Sequence, residues 1–182
     1  MSSTTNVTAA IEPLFSAEQI AERVDSLAGE IARAEPSEIL IVPILRGGFV
    51  FAADLVRALH RAGLSAEIDF MGLGSYGGEQ KPSHPVAIRK DIEADVGGRS
   101  VLLVDDLMDT GHTLAFAKSL LEERGTQRVA TCVLLDKAVA RKVPLRPDYK
   151  GFDCPADFVV GYGMGLGRRH RALPFIGRIM HD

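Results

Sequence analysis

Ile20, Val24, Leu27 and Ile31 recur at the spacing of a helix with one buried face. Ser16 ahead of that run and Gln19 behind it spell a capping box. Phe15 is placed to staple onto Ile20, and Pro36 ends the helix. Residues 39–44 then form a short, unbroken apolar run, the pattern of a buried strand, and residues 49–62 return to helical spacing and close at Gly63. Residues 64–70 alternate apolar and polar, as an antiparallel or edge strand would, and residues 72–85, rich in glycine, serine and proline, read as a mobile loop. Strands are expected over 86–92 and 100–104, a helix over 114–124 ended by Gly125, and a strand over 129–135. Strands alternating with helices predict an α/β domain on a mostly parallel twisted sheet with helices on its flanks.

Composition adds limits. With 182 residues, 46% of them apolar, the chain can bury a full core as one domain. The formal charge is −3, with acidic and basic residues interspersed. The one basic block is Arg168-Arg169-His170-Arg171, so affinity for nucleic acid is not expected. Cys132 and Cys154 lack metal-ligand spacing and read as two free thiols in a reducing compartment. The first residues do not resemble a signal peptide, and no apolar run reaches membrane length, so no membrane association and a cytoplasmic location are expected.

Candidate chemistry concentrates behind one strand. The apolar run Val101-Leu102-Leu103-Val104 leads into Asp105 and Asp106, then Asp109, then the turn Thr110-Gly111-His112-Thr113 opening a helix. Open α/β sheets bind ligands at the carboxyl ends of their strands, and a helix N-terminus offers unpaired N–H groups and a favourable dipole to a phosphate. Two carboxylates suit ribose hydroxyls or Mg2+, and the turn suits a phosphate. Asp105-Asp106-Leu107-Met108-Asp109 also spells the acidic motif of prenyl synthases. That motif sits on a helix, whereas a β-type run precedes this one and a glycine follows. The alternating glycines 161, 163, 165 and 167 come too near the end of the chain to open a dinucleotide-binding βαβ unit.

The segment from Val101 to Thr113 resembles the phosphoribosyl pyrophosphate (PRPP) motif of phosphoribosyltransferases, and the chain is similar to their hypoxanthine-guanine branch over roughly residues 12–171. The resemblance implies the type I phosphoribosyltransferase fold as a single domain, with a core over about 36–140 and a small hood formed by about 1–15 and 141–182. It implies PRPP held by Asp105, Asp106, Thr110, Gly111, His112 and Thr113, with the acidic pair serving Mg2+. Leu45-Arg46-Gly47-Gly48, which alone reads as an ordinary strand-to-helix turn, resembles the family's pyrophosphate loop. Arg46, Gly47 and Arg171 would then meet the pyrophosphate. Ser75 and Tyr76 resemble the Ser-Tyr of the flexible catalytic loop. Leu134-Leu135-Asp136-Lys137 resembles the segment whose lysine bonds the exocyclic O6 of a purine, and an ammonium, having no acceptor, favours an oxo over an amino group. Phe158 would stack on the base and the Val159 backbone would meet its 2-position.

The resemblance therefore implies transfer of the phosphoribosyl group to a 6-oxopurine, with Asp109 taking or sharing the N7 proton as N9 attacks. Alternatives are a PRPP-binding regulator without catalysis, or an enzyme for another base such as xanthine. Homo-oligomers, dimer or tetramer, are expected. One departure stands out: Gly165 occupies the place where many family members carry an aspartate that helps hold a second Mg2+. The roles of Arg168 and Arg169 do not separate.

Overall fold

The computed structural model describes residues 10–36, 38–75, 86–167 and 169–180. The chain opens with strand β1 (Ile11–Phe15) and helix α1 (Ala17–Ala34). The capping box forms as the sequence predicts: Ser16 Oγ accepts from the Gln19 N–H, and Gln19 Oε1 accepts from the Ser16 N–H. Phe15, expected to staple onto Ile20, stacks on Phe152, with ring centroids 4.3 Å apart. Strand β2 (Ile39–Leu45), helix α2 (Phe49–Arg61), the short strands β3 (Ala66–Ile68) and β4 (Met71–Ser75), and β5 (Val86–Lys90) follow. Then come β6 (Ser100–Met108), α3 (His112–Glu123), β7 (Arg128–Asp136), a single 3-10 turn at Ala138–Ala140, β8 (Tyr149–Asp153), β9 (Val159–Val160) and β10 (Ile176–Ile179).

The main sheet has seven strands, ordered β5-β4-β2-β6-β7-β8, with β3 beside the first half of β2. All pairs are parallel except β4 with β5. Ile39, Ile41, Leu102, Val104, Ala130 and Cys132 pack on α1 and α2, while Leu40, Val42, Val101, Leu103, Val129 and Val133 pack with Leu114, Ala117 and Leu121 of α3. Successive residues thus serve opposite faces, which is why these strands read as unbroken apolar runs.

Three expectations are corrected. The alternation at 64–70 becomes β3, an edge strand, but one that runs parallel to β2, because the return through α2 is a crossover and not a hairpin. Gly72 to Ser75, expected in a loop, form strand β4: Leu45 pairs with Gly72, and β5 completes the ladder on the other side. Backbone pairing on both sides outweighs the low strand preference of glycine. Strand β6 does not stop at Val104. Its pairing with β2 does end there, at Pro43↔Val104, but β7 continues alongside to Met108↔Asp136. The acidic pair therefore stands in a strand flanked on one side only, opening on the crevice beyond β2.

The two chain ends meet in a separate three-stranded antiparallel sheet, β1-β10-β9. Strand β8, in the segment expected to belong to the hood, joins the main sheet beside β7. Both cysteines are free and buried. Burial pushes the Cys154 thiol up to about 11. Among the described residues, no helix is long and apolar enough to cross a membrane.

Candidate active site

Asp105 and Asp106 lie side by side; the Asp105 carboxyl is held well above the usual carboxylate range and the Asp106 carboxyl is raised as well. Burial is the main cause for each. For Asp105 the neighbouring Asp106 charge adds to it, and for Asp106 hydrogen bonds and the Arg171 guanidinium pull the other way. Two carboxylates desolvated together cannot both carry charge cheaply, and a cation or a hydroxyl-bearing ligand beside them would relieve that cost. Asp105 Oδ1 accepts from the Asp106 N–H at 3.0 Å, and Asp106 Oδ1 from the Leu107 N–H at 3.0 Å, which fixes both side chains at the crevice.

Gly47 is pressed against this pair, where a Cβ would collide with the Asp106 carboxylate. Gly48 is confined less severely: an added Cβ would stand 3.0 Å from the Ile44 carbonyl oxygen. The peptide joining Leu45 to Arg46 is cis. Arg46 and Arg171 line one cavity of about 330 Å³ with Leu45, Phe49 and Gly167. Arg171 is held by the carbonyls of Gly163 and Gly167, to which it donates at 2.7 and 2.9 Å. Two arginines lining one cavity, near a glycine that admits close backbone approach, suit an anion.

Behind β6, Gly111 is the N-cap of α3 at φ +87°, and no side chain caps the helix. Its leading N–H groups are thereby left for an incoming anion. His112 Nδ1 lies 3.2 Å from Thr110 Oγ1. Only glycine serves at 111: besides the positive φ, a Cβ would meet Val143 Cγ2 at 2.6 Å and Arg141 Cδ at 3.1 Å. Asp109 is exposed beside the turn.

On the far side, the Lys137 N–H donates to the Met108 carbonyl, tying the end of β7 to the end of β6. Lys137 Nζ donates to the Asp157 carbonyl at 3.1 Å, next to Phe158, which is 47% exposed, and Val159, which is buried. The charges of Lys137, Asp109 and Asp157 are all felt at the Cys154 thiol. Ser75 ends β4, while Tyr76 and Arg168 lie outside the described residues.

Sequence reasoning missed Arg141. It pairs with the buried Asp136 carboxylate and donates to the Met108 carbonyl, while the Lys142 N–H donates to the Thr110 carbonyl at 2.9 Å. The stretch after Lys137 thus backs the phosphate turn. No periodicity marks it, because it belongs to no regular element.

The model of the phosphoribosyl transferase domain matches residues 11–165. This chain belongs to the phosphoribosyltransferase family. It is 36% identical over 173 residues to the hypoxanthine phosphoribosyltransferase of Escherichia coli, covering 93% of this chain and 96% of that one. It is 42% identical over 163 residues to the hypoxanthine-guanine phosphoribosyltransferase of Aquifex aeolicus, covering 88% and 90%. A crystal structure of a Bacillus anthracis hypoxanthine-guanine phosphoribosyltransferase, with HEPES in its active site, superposes with a TM-score of 0.85 at 38% identity, covering 93% of this chain and 98% of that one. The fold is that of the type I phosphoribosyltransferases, as its motifs predict.

Proposed function

We propose that this phosphoribosyltransferase moves the 5-phosphoribosyl group from PRPP to N9 of a 6-oxopurine, hypoxanthine or guanine, releasing the nucleotide and pyrophosphate. The observation that carries this reading is the acidic pair of β6, Asp105 buried and Asp106 half-buried, flanked by an uncapped helix N-terminus on one side and the Gly47 and two-arginine cavity on the other. Those are the three kinds of group needed by a sugar with hydroxyls in the middle, a phosphate at one end and a diphosphate at the other.

In this reading the N–H groups of Gly111, His112 and Thr113 and the hydroxyls of Thr110 and Thr113 take the 5-phosphate. Asp105 and Asp106 face the ribose hydroxyls, and Arg46, Gly47 and Arg171 take the diphosphate. The base lies on Phe158, with the Val159 backbone at its 2-position and Lys137 donating to its O6. As the bond from C1 to the diphosphate oxygen breaks, its electron pair leaves with the diphosphate. N9 forms the new bond to C1, and the proton at N7 passes to, or is shared with, Asp109. Arg46 and Arg171 meet negative charge that grows on the leaving group, an interaction stronger in the transition state than before it. By the family resemblance Ser75, at the end of β4, and Tyr76 would lead into a segment that covers the site and keeps water from the ribosyl cation.

The oxygen donors of Asp105 and Asp106 fit Mg2+, a hard cation. Among the described residues no cluster of three potential ligand side chains exists, so substrate oxygens and water would complete the shell. When bound, the ion neutralises charge on the diphosphate. The chain ends act as a hood over the base, the protein works as a homo-oligomer, dimer or tetramer, and it resides in the cytoplasm.

The test is a panel of hypoxanthine, guanine, xanthine and adenine with PRPP and Mg2+, scored by nucleotide and pyrophosphate formed, for the wild type and Lys137→Ala. The 6-oxopurines should react and adenine should not. Lys137→Ala should raise KM for hypoxanthine about 10–30-fold, the worth of a hydrogen bond from a charged donor. Product from no base would leave a PRPP-binding regulator as the better reading, and preference for adenine would remove Lys137 from its role.

A further inference from the structure

Gly161, Tyr162 and Gly163 all have positive φ, at +99°, +48° and +97°. The glycines adopt this conformation freely, but a tyrosine does so only where its surroundings impose it. Three contacts do so. The Tyr162 N–H donates to the Leu173 carbonyl at 2.8 Å, the Gly163 N–H donates to the Arg171 carbonyl at 2.9 Å, and the Tyr162 hydroxyl donates to the Asp54 carboxylate of α2. The ring is buried. Burial and the carboxylate together push its hydroxyl pKa up, so it remains a donor.

The position of this contact gives it meaning. Helix α2 begins directly behind Arg46-Gly47-Gly48, so Asp54 belongs to the same rigid unit as that loop. Gly163 sits against the loop from the other side, where a Cβ would stand 2.5 Å from the Gly47 carbonyl oxygen and 3.4 Å from Val50 Cβ. The Gly163 carbonyl in turn holds the Arg171 guanidinium. The two guanidinium groups of the anion cavity thus come from separate segments, and the bond from Tyr162 to Asp54 ties one segment to the other.

We infer that Tyr162 is a positioning residue for the diphosphate: its hydroxyl, bound to Asp54, fixes the turn that carries Arg171 against the loop that carries Arg46. This rests on the reading of that cavity as the diphosphate end of the PRPP site. Arg57 also pairs with Asp54, but its side chain is 68% exposed and comes from α2 itself, so that pair does not tie α2 to the turn that carries Arg171. Losing the hydroxyl frees the Arg171 turn to drift from the loop while the α3 turn and the base wall stay as they are.

Tyr162→Phe keeps the ring and deletes the bond. Calorimetric Kd for pyrophosphate and KM for PRPP should rise about tenfold, in the range of a hydrogen bond to a charged acceptor, with KM for the base unchanged and kcat at saturation within about twofold. Asp54→Asn, which keeps a weaker acceptor, should give a smaller rise in the same two constants and serves as the second variant should Tyr162→Phe fail to fold. A fall in Tm with pyrophosphate affinity unchanged, or equal losses for pyrophosphate and base, would mean the contact only stabilises the fold and would overturn the inference. Failure of the wild type to bind pyrophosphate or PRPP would bring down the functional reading itself, and the inference with it.

Discussion

The proposed sugar-phosphate side of the site and the proposed base side are built in different ways. Residues 105–113 supply the acidic pair, Asp109 and the phosphate turn from one continuous stretch, fixed between β7 and α3 at the rim of a buried parallel sheet. The base side takes Lys137 from the end of β7, and Phe158 and Val159 from a sheet in which β10 joins β1 to β9, so both ends of the chain must come together to form it. A contiguous segment holds its geometry through its own strand and helix. An assembled wall holds only as well as the contacts between its parts. In the proposed mechanism Asp109 belongs by sequence to the first stretch and meets the base at N7, so its loss tests both.

Asp109→Asn carries the largest expected effect. In the proposed mechanism the amide keeps a polar group beside N7 but cannot take the proton, so kcat should fall about 100- to 1000-fold, the usual share of a general base, while Kd for PRPP changes less than about threefold. Single-turnover rates and PRPP titration check this. Equal losses in chemistry and PRPP binding would place Asp109 on the sugar-phosphate side alone.

How much of each side is legible in the sequence follows from the same contrast. The apolar run before Asp105, the acidic pair and the glycine turn can be read directly, because neighbours along the chain are neighbours in space. The end of β6 cannot be: Leu107 and Met108 are strand because β7 lies beside them, a partner that no local pattern announces. Lys137 and Phe158 stand out only through family motifs, since a lysine after a strand and an exposed aromatic are unremarkable alone. Arg141 and the bond from Tyr162 to Asp54 leave no periodic trace, since both depend on contacts between distant or irregular segments. Gly165 is a visible departure, and the structure shows why it tolerates no easy replacement: an added Cβ would collide with the Arg169 carbonyl oxygen and stand 2.8 Å from Arg171 Cγ, so backbone and side chain already fill the space.

The rigid side also carries an electrostatic cost that can be measured. Asp105 and Asp106 have carboxyl groups raised by burial, whereas Asp91, paired with Arg124 across from α3, is lowered. A raised acid binds protons more tightly folded than unfolded. Its contribution is therefore favourable below the ordinary carboxylate range and is lost as pH rises through the folded-state value. A lowered acid such as Asp91 does the reverse, its contribution failing as pH falls. Asp105→Asn, whose amide oxygen still accepts the Asp106 N–H, should therefore stabilise the ligand-free protein at pH 7–8 by on the order of 1 kcal/mol, about 2–4 °C in Tm. The gain should shrink as pH approaches 5, while PRPP affinity falls. Parallel Tm profiles for variant and wild type would show that the pair stores no such cost.

The assembled side should yield to a change outside the site altogether. Arg178 of β10 lies opposite Val159 in register, and its guanidinium reaches Glu12 of β1 at 2.8 Å and the Asp157 carboxylate at 3.5 Å. The Asp157 carbonyl is also where Lys137 rests, so one exposed arginine links both chain ends to the residues expected to face the base. Exposed ion pairs are individually weak, so Arg178→Ala should raise KM for hypoxanthine only about two- to fivefold, with KM for PRPP unchanged and partial rescue by Arg178→Lys. Added salt should shrink the difference between variant and wild type, because it screens the same pairs. If KM for PRPP rose equally, the β1-β10-β9 sheet would be supporting the whole site, and the separation between a contiguous phosphate side and an assembled base side would not hold.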